Sequence, residues 1–386
     1  MRIQDIKKIA VMGAGDMGHG IAEAALLAGY NVSMRDLNPE CVQTGFNRIK
    51  KSLEKLVERR KITAGDRRTM LANLDAVVGL DRAVSDADVV IEAVPEILDL
   101  KHRVFRSVDR AAPPHAVLAS NTSNMRITEM AAATQRADQV VGMHFFNPVV
   151  LMKLVEIVKG DKTSEATMQV AANLALRLKK IPIRVEKDTI GFIVNRVNAP
   201  NTILLGLMVE NGWATPEEID AKMKSVGMRM GPLELMDYVG LDVVYHSSLY
   251  FAERLSPEFA PPQWLKAKID AGCLGKKTGK GIYDWSQGRP VINPSKAKAD
   301  FDPTDLLAIQ VNEATKLLEE KVVKNTAVID QAIVYGTGAA GPFALARKIG
   351  CKQIADRCKA LSKRYGIKTF DPTQTLQQGD IEIPNR

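Results

Sequence analysis

Ile9-Ala10-Val11-Met12-Gly13-Ala14-Gly15-Asp16-Met17-Gly18 is the stretch that decides the fold. A short apolar, β-branched run meets a GxGxxG, and an amphipathic stretch follows to Ala28, so the reading is strand, tight turn, helix. The first glycine permits the turn, the second lets a pyrophosphate approach the backbone N–H groups at the helix start, and the third allows close packing. A second strand-like run, 32–35, ends beside Asp36, at the spacing expected for an acid that binds a ribose. Asp36 can accept both ribose hydroxyls and would repel a 2′-phosphate, which points to NAD. Arg35 beside it is the group that could take that phosphate, and it keeps NADP as the alternative. Gly13, Gly15, Asp16, Met17, Gly18 and Asp36 are therefore the candidate cofactor residues of this loop.

Outward from this stretch, residues 8–187 alternate short β-branched runs with longer amphipathic ones, as parallel α/β sheets do. The strands expected are 9–12, 32–35, 89–93, 117–120, 140–145, 154–158 and 183–185. Two helices, 39–62 and 64–73, fill an insertion after the second strand and read as an arm projecting from the sheet. Beyond Lys187 strand signals fade, and 191–210, 216–226, 232–238 and 242–255 read as helices. Proline, lysine and small residues dominate 286–303, which reads as a linker. Past it lies a repeat: at a constant offset of 110 residues Glu210, Ile219, Asp220, Gly231, Pro232, Leu235 and Gly240 meet Glu320, Ile329, Asp330, Gly341, Pro342, Leu345 and Gly350. Asn195, Glu234, Asp237 and Asp242 meet Asp305, Ala344, Arg347 and Lys352 instead, so the second copy reads as structural. The expected architecture is an α/β Rossmann-type domain with an inserted helical arm (1–187), an all-α domain (188–285), the linker (286–303) and a degenerate all-α copy (304–386).

With 46% hydrophobic and 25% charged residues in 386, the chain can bury large cores. No apolar run nears the ~20 residues that span a bilayer, and the four cysteines lack CxxC spacing. A soluble protein of a reducing cytoplasm, without membrane contact, is expected. The net charge of +8 is densest at Lys50, Lys51, Lys55, Arg59, Arg60 and Lys61, on a helical stretch poor in aromatics. Without rings to stack bases, a phosphate-bearing small molecule fits this face better than nucleic acid.

Of five histidines, His144 alone ends a buried-looking strand, Val140-Val141-Gly142-Met143-His144, at the edge where such sheets bind ligands. Glu156, inside Leu154-Val155-Glu156-Ile157-Val158, is an acid among apolar neighbours, a costly placement unless it is paired. If the two strands are adjacent, its carboxylate can orient the imidazole and stabilise an imidazolium, as a dehydrogenase base requires. A satisfied core histidine is the competing explanation.

Ala119-Ser120-Asn121-Thr122-Ser123, His144-Phe145-Phe146-Asn147-Pro148, Gly191-Phe192-Ile193-Val194-Asn195-Arg196 and Gly231-Pro232-Leu233-Glu234-Leu235 resemble, in order and spacing, the signatures of the 3-hydroxyacyl-CoA dehydrogenase family. The resemblance spans about residues 5–285. It implies NAD-dependent oxidation of an L-3-hydroxyacyl-CoA to the 3-oxoacyl-CoA and the reverse, with His144 as general base, Glu156 as its partner, and Ser123 and Asn195 orienting the substrate oxygen. It further implies that Glu96, Lys101, Ser123 and Asn147 line the nicotinamide half and that Lys277 reaches the cofactor from the helical domain. Ser52, Arg59 and Ser123 would contact coenzyme A, with Arg59 where relatives commonly carry lysine, a change of hydrogen-bond geometry at constant charge. The duplicated copy could replace the partner subunit of single-copy relatives, leaving monomer and homodimer both open. A free hydroxy acid is the alternative substrate.

Overall fold

The computed structural model describes residues 2–297, 300–379 and 381. The chain divides into two compact units, one of Met1–Val194 with Lys321–Ala340, the other of Asn195–Glu320 with Gly341–Arg386.

The first unit is a Rossmann-type unit on an eight-stranded sheet. Its elements run β1 (Lys8–Met12), α1 (Asp16–Leu27), β2 (Asn31–Arg35), α2 (Pro39–Glu58), α3 (Ala64–Ala72), β3 (Leu74–Val77), α4 (Leu80–Val84), β4 (Val89–Glu92), α5 (Leu98–Ala111), β5 (Val117–Ser120), α6 (Ile127–Ala131), β6 (Val140–Phe145), β7 (Leu154–Val158), α7 (Glu165–Arg177) and β8 (Ile181–Val185). The strand order is β3-β2-β1-β4-β5-β6-β7-β8. Strands β4 to β7 are buried at every position, which is why they read as unbroken apolar runs rather than alternating ones.

Three features correct the sequence expectations. β7 pairs antiparallel with β6, and β8 runs parallel to β7, so the last two strands reverse the otherwise parallel sheet. β3 returns the chain to the sheet beside β2, a strand hidden by its shortness and by Asp75. β8 begins at Ile181 and carries Pro182, which lacks an N–H and is tolerated because β8 is an edge strand. The inserted helices also do less projecting than expected. Val42, Gly45, Ile49 and Leu53 bury one face of α2, and past Leu53 the insertion, α3 included, keeps only partly buried residues against the core, among them Leu56, Met70 and Leu71. Asn38 caps α2 by accepting from the Cys41 N–H at 2.8 Å, with Pro39 in the first turn.

The helices that follow are α8 (Val194–Glu210), α9 (Pro216–Ser225), α10 (Pro232–Val239), α11 (Leu241–Arg254), α12 (Gln263–Asp270), α13 (Thr304–Glu319), α14 (Thr326–Thr337), α15 (Pro342–Ile349), α16 (Cys351–Tyr365) and α17 (Gln374–Gln378). α13, α14, α15 and α16 each begin 110 residues after α8, α9, α10 and α11. Gly240 and Gly350, which separate the last two helices of each set, sit at φ +113° and +103°, a region that strains any residue with a Cβ. Within the second unit α8 and α13 are joined by Arg196, buried and ion-paired to Glu313 and to Glu320 at 3.1 Å, and by Asn198, which accepts from Gln310 at 2.8 Å.

The compact units do not follow the linear succession 1–187, 188–285, 286–303 and 304–386. α14 belongs to the first unit, where Gly336 lies against Leu154, Val194 and Phe146, and the Val322 carbonyl accepts from Glu186 N–H at 2.8 Å. The stretch read as a linker is held as well: Asn293 and Lys296 bind Glu217, and Ile292 and Phe301 are buried. Residues 298 and 299 of that stretch, and 380 and 382–386 of the last one, lie outside the described residues. Among the described residues no helix is long and apolar enough to cross a membrane.

Candidate active site

The first unit presents the glycine loop at the carboxyl end of β1. A Cβ on Gly13 would lie 2.5 Å from the Ala93 carbonyl, and one on Gly18 would lie 1.8 Å from that of Gly13, whereas Gly15 faces open space. α1 starts behind Gly15 with no side-chain cap, leaving backbone donors aimed at that space. A dinucleotide pyrophosphate fits this cradle. Asp36 holds its carboxylate at the tip of β2, accepting from Ala14 N–H at 2.7 Å and Leu37 N–H at 2.6 Å. Arg35 donates its Nε to the Val78 carbonyl at 2.9 Å, toward the β3 side. Asp16 pairs with Arg48 of α2, and Met17 packs on the core.

The antiparallel register sets His144 directly opposite Glu156. His144 Nδ1 and Glu156 Oε2 are 2.6 Å apart, with the His144 side chain 5% and that of Glu156 0% exposed. Glu156 Oε1 accepts the backbone N–H of Ile193 at 3.1 Å and of Val194 at 3.0 Å. Those amides point inward because Gly191 (φ +71°) and Phe192 (φ +54°) make a tight left-handed turn before α8. Positive φ at a phenylalanine is a strained conformation, and it coincides with the turn that delivers two donors to a buried acid. Phe146 and Phe192 flank the imidazole at ring-centroid distances of 4.4 and 5.8 Å. With the carboxylate as acceptor, Nδ1 carries the proton and Nε2 is left basic.

Glu96 and Ser123 come together at the same edge: Glu96 Oε1 accepts from Ser123 N–H at 2.6 Å and Thr122 Oγ1 at 2.7 Å. Lys101 is 1% exposed and donates to Glu92 at 2.7 Å, Glu96 at 2.9 Å and the Val94 carbonyl at 3.2 Å, so its ammonium works behind Glu96 rather than on open surface. Burial would raise the Glu96 pKa, but the Lys101 charge and the hydrogen bonds around it hold the carboxyl below its usual range. Asn147 is exposed on the loop after β6, and Lys180, buried beneath that loop, donates to the Val149 and Met152 carbonyls.

On α2, Ser52 turns inward and donates to Glu23 at 2.6 Å, while Arg59, seven residues on and on the same side of the helix, is exposed. Burial pushes the Glu23 carboxyl up to about 7 against the opposing bond from Ser52. Asn195 and Lys277 belong to the second unit. Asn195 lies in the first turn of α8, and Lys277 is 45% exposed with its ammonium 2.5 Å from Asp242. Sequence reasoning did not single out Glu92, or Asn121, whose Oδ1 accepts from Phe145 N–H at 2.9 Å and so ties β5 to the strand of His144. Val89-Val90-Ile91-Glu92 carries the signal that marked Glu156, an acid in a buried apolar run.

Residues 8–189 match the family model described as 3-hydroxyacyl-CoA dehydrogenase, NAD binding domain, and residues 191–285 the one described as 3-hydroxyacyl-CoA dehydrogenase, C-terminal domain. Over 291 residues the chain is 42% identical to the probable 3-hydroxybutyryl-CoA dehydrogenase of Bacillus subtilis (strain 168), covering 73% of this chain and 99% of that protein. It is 34% identical over 402 residues to the fatty acid oxidation complex subunit alpha of Psychrobacter sp. (strain PRwf-1), covering 97% of this chain and 55% of that subunit. The crystal structure of 3-hydroxybutyryl-CoA dehydrogenase from Escherichia coli K12 is similar with a TM-score of 0.86 at 28% identity, covering 97% of this chain and 98% of that one.

Proposed function

The chain belongs to the 3-hydroxyacyl-CoA dehydrogenase family, and from that premise we propose that it oxidises an L-3-hydroxyacyl-CoA to the 3-oxoacyl-CoA and catalyses the reverse, with His144 as general base and Glu156 as its partner. Bound NAD supplies the acceptor for the hydride that leaves C3. His144 takes the C3 hydroxyl proton on Nε2, becoming an imidazolium between the aromatic rings of Phe146 and Phe192. Glu156 stabilises that cation through Nδ1 and cannot swing away, because its other oxygen is held by two amides. That doubly anchored carboxylate beside a buried imidazole is the observation that carries the reading.

Ser123 and Asn195 orient the substrate oxygen; Glu96, Ser123, Asn147 and Lys277 serve the nicotinamide half, Lys101 through Glu96, and Ser123 also serves the coenzyme A side. Ser52 and Arg59 belong to the coenzyme A side, with Ser52 acting through Glu23. The helices α13–α16 repeat the order of α8–α11 as a degenerate copy, which takes the place of a partner subunit in a monomer or adds to a homodimer.

The test follows NADH absorbance as acetoacetyl-CoA is offered to the purified chain, beside His144→Ala, Glu156→Gln and free acetoacetate. The expected outcome is oxidation with the thioester only, reduced about 10³-fold in either variant with little change in KM. Turnover of the free acid alone would replace the thioester reading with a free hydroxy-acid substrate.

A further inference from the structure

β4 ends in Glu92, beside Ser120 at the end of β5, and β5 in turn lies beside β6, which carries His144. Glu92 is fully buried, and its carboxylate accepts from Lys101 Nζ at 2.7 Å, Val94 N–H at 2.7 Å and Ser120 Oγ at 2.6 Å. Ser120 Oγ in turn accepts from Thr122 N–H at 3.2 Å. The same ammonium reaches Glu96, which holds Thr122 and Ser123. One buried lysine and two carboxylates thus build the Glu96 loop and the Thr122-Ser123 loop, two of those that carry the proposed nicotinamide-side residues.

A buried ammonium needs one carboxylate to balance it, and here it has two. Lys101 stays charged, since the two carboxylates outweigh the burial that would lower its pKa, and Glu96 stays ionised for the reasons given above. The nicotinamide ring is cationic when oxidised and neutral when reduced. A surplus negative charge beside it attracts only the oxidised form, and a low-dielectric surrounding strengthens the difference.

We propose that Glu92 is a positioning residue that, through Lys101, holds Glu96 and the Ser123 loop, and that the surplus negative charge of this trio biases the site toward the oxidised nucleotide over the reduced one. The inference rests on the reading that Glu96 and Ser123 face the nicotinamide half.

Titration calorimetry of the full chain with NAD+ and with NADH, without acyl substrate, tests it. Glu92→Gln keeps the shape and removes the charge. It should raise the ratio of the NAD+ to the NADH dissociation constant about fifteenfold, the order expected for one charge acting over roughly 10 Å at an effective dielectric constant of about 20. Glu92→Asp keeps the charge but shortens the reach, so both nucleotides should weaken at an unchanged ratio. If Glu92→Gln does not fold, Glu96→Gln at the rim should move the ratio in the same direction. A purely structural role would weaken both nucleotides alike, and an unmoved ratio in a folded variant overturns the inference alone. Wild type that binds neither nucleotide overturns the functional reading and the inference with it.

Discussion

Helices α10 and α15 have the same length, the same 110-residue offset as their neighbours and the same glycine conformation after them, yet they treat polar side chains in opposite ways. In α10, Glu234 and Asp237 are buried; in α15 the matching residues are Ala344 and Arg347, both exposed. Asp237 accepts from Ile282 N–H and Tyr283 N–H at 2.8 Å and from Trp285 Nε1 at 3.0 Å, while Asp220 accepts from Leu233 N–H, Glu234 N–H and Tyr283 Oη. These acids anchor the 275–285 turn, which carries Lys277. Past α16 the chain instead packs residues 369–373 on Asn312 of α13. The difference teaches that a buried acid is tolerable only where donors converge on it; where the donating turn is missing, the same backbone position takes a residue that needs none.

The comparison can be broken most directly at Asp237. Asp237→Ala leaves three donors unmet, one of them buried, and should lower the unfolding free energy by about 4 kcal/mol in urea titration, with loss of the Lys277 turn. A value below 1 kcal/mol would mean that the acids do not anchor the turn. Arg196→Ala, which leaves Glu313 buried beside Lys316 alone, should cost about 3 to 4 kcal/mol by the same measurement. The position matching Arg196 holds buried Leu306, so this tie between α8 and α13 is one-sided.

Glu23 sharpens the rule from outside the helical sets, as a buried acid with a single donor. Its folded pKa of about 7 lies above its ordinary 4.5, so the stability it contributes is full below pH 4.5 and is lost as pH rises through 7. The loss should total about 3 kcal/mol, and denaturant titrations of Glu23→Gln across pH 4 to 8 should lack that slope. The smallest effect expected is at Lys348: on an exposed face of α15, Lys348→Ala should change stability by less than about 0.5 kcal/mol.

Much of the site was legible because it is built from short-range patterns. The glycine loop with Asp36 is one contiguous strand, turn and helix, and the pairing of His144 with Glu156 was inferable because an acid inside an apolar strand demands a partner. Less legible were elements whose local pattern contradicts their place: Asp75 within β3 and Pro182 within β8.

By itself the sequence determined most of the element types, the glycine loop and the need for each buried acid to find donors, because hydrophobic period, glycine conformation and the desolvation of charge act within a few residues. Only the tertiary structure decided that β7 reverses against β6 to bring Glu156 opposite His144, that the Gly191-Phe192 turn supplies the amides, and that α14 belongs to the unit of the sheet rather than to that of α13, α15 and α16. An apolar face states that it must be covered and a carboxylate that it must be paired, but which distant segment does so depends on how all the elements pack at once.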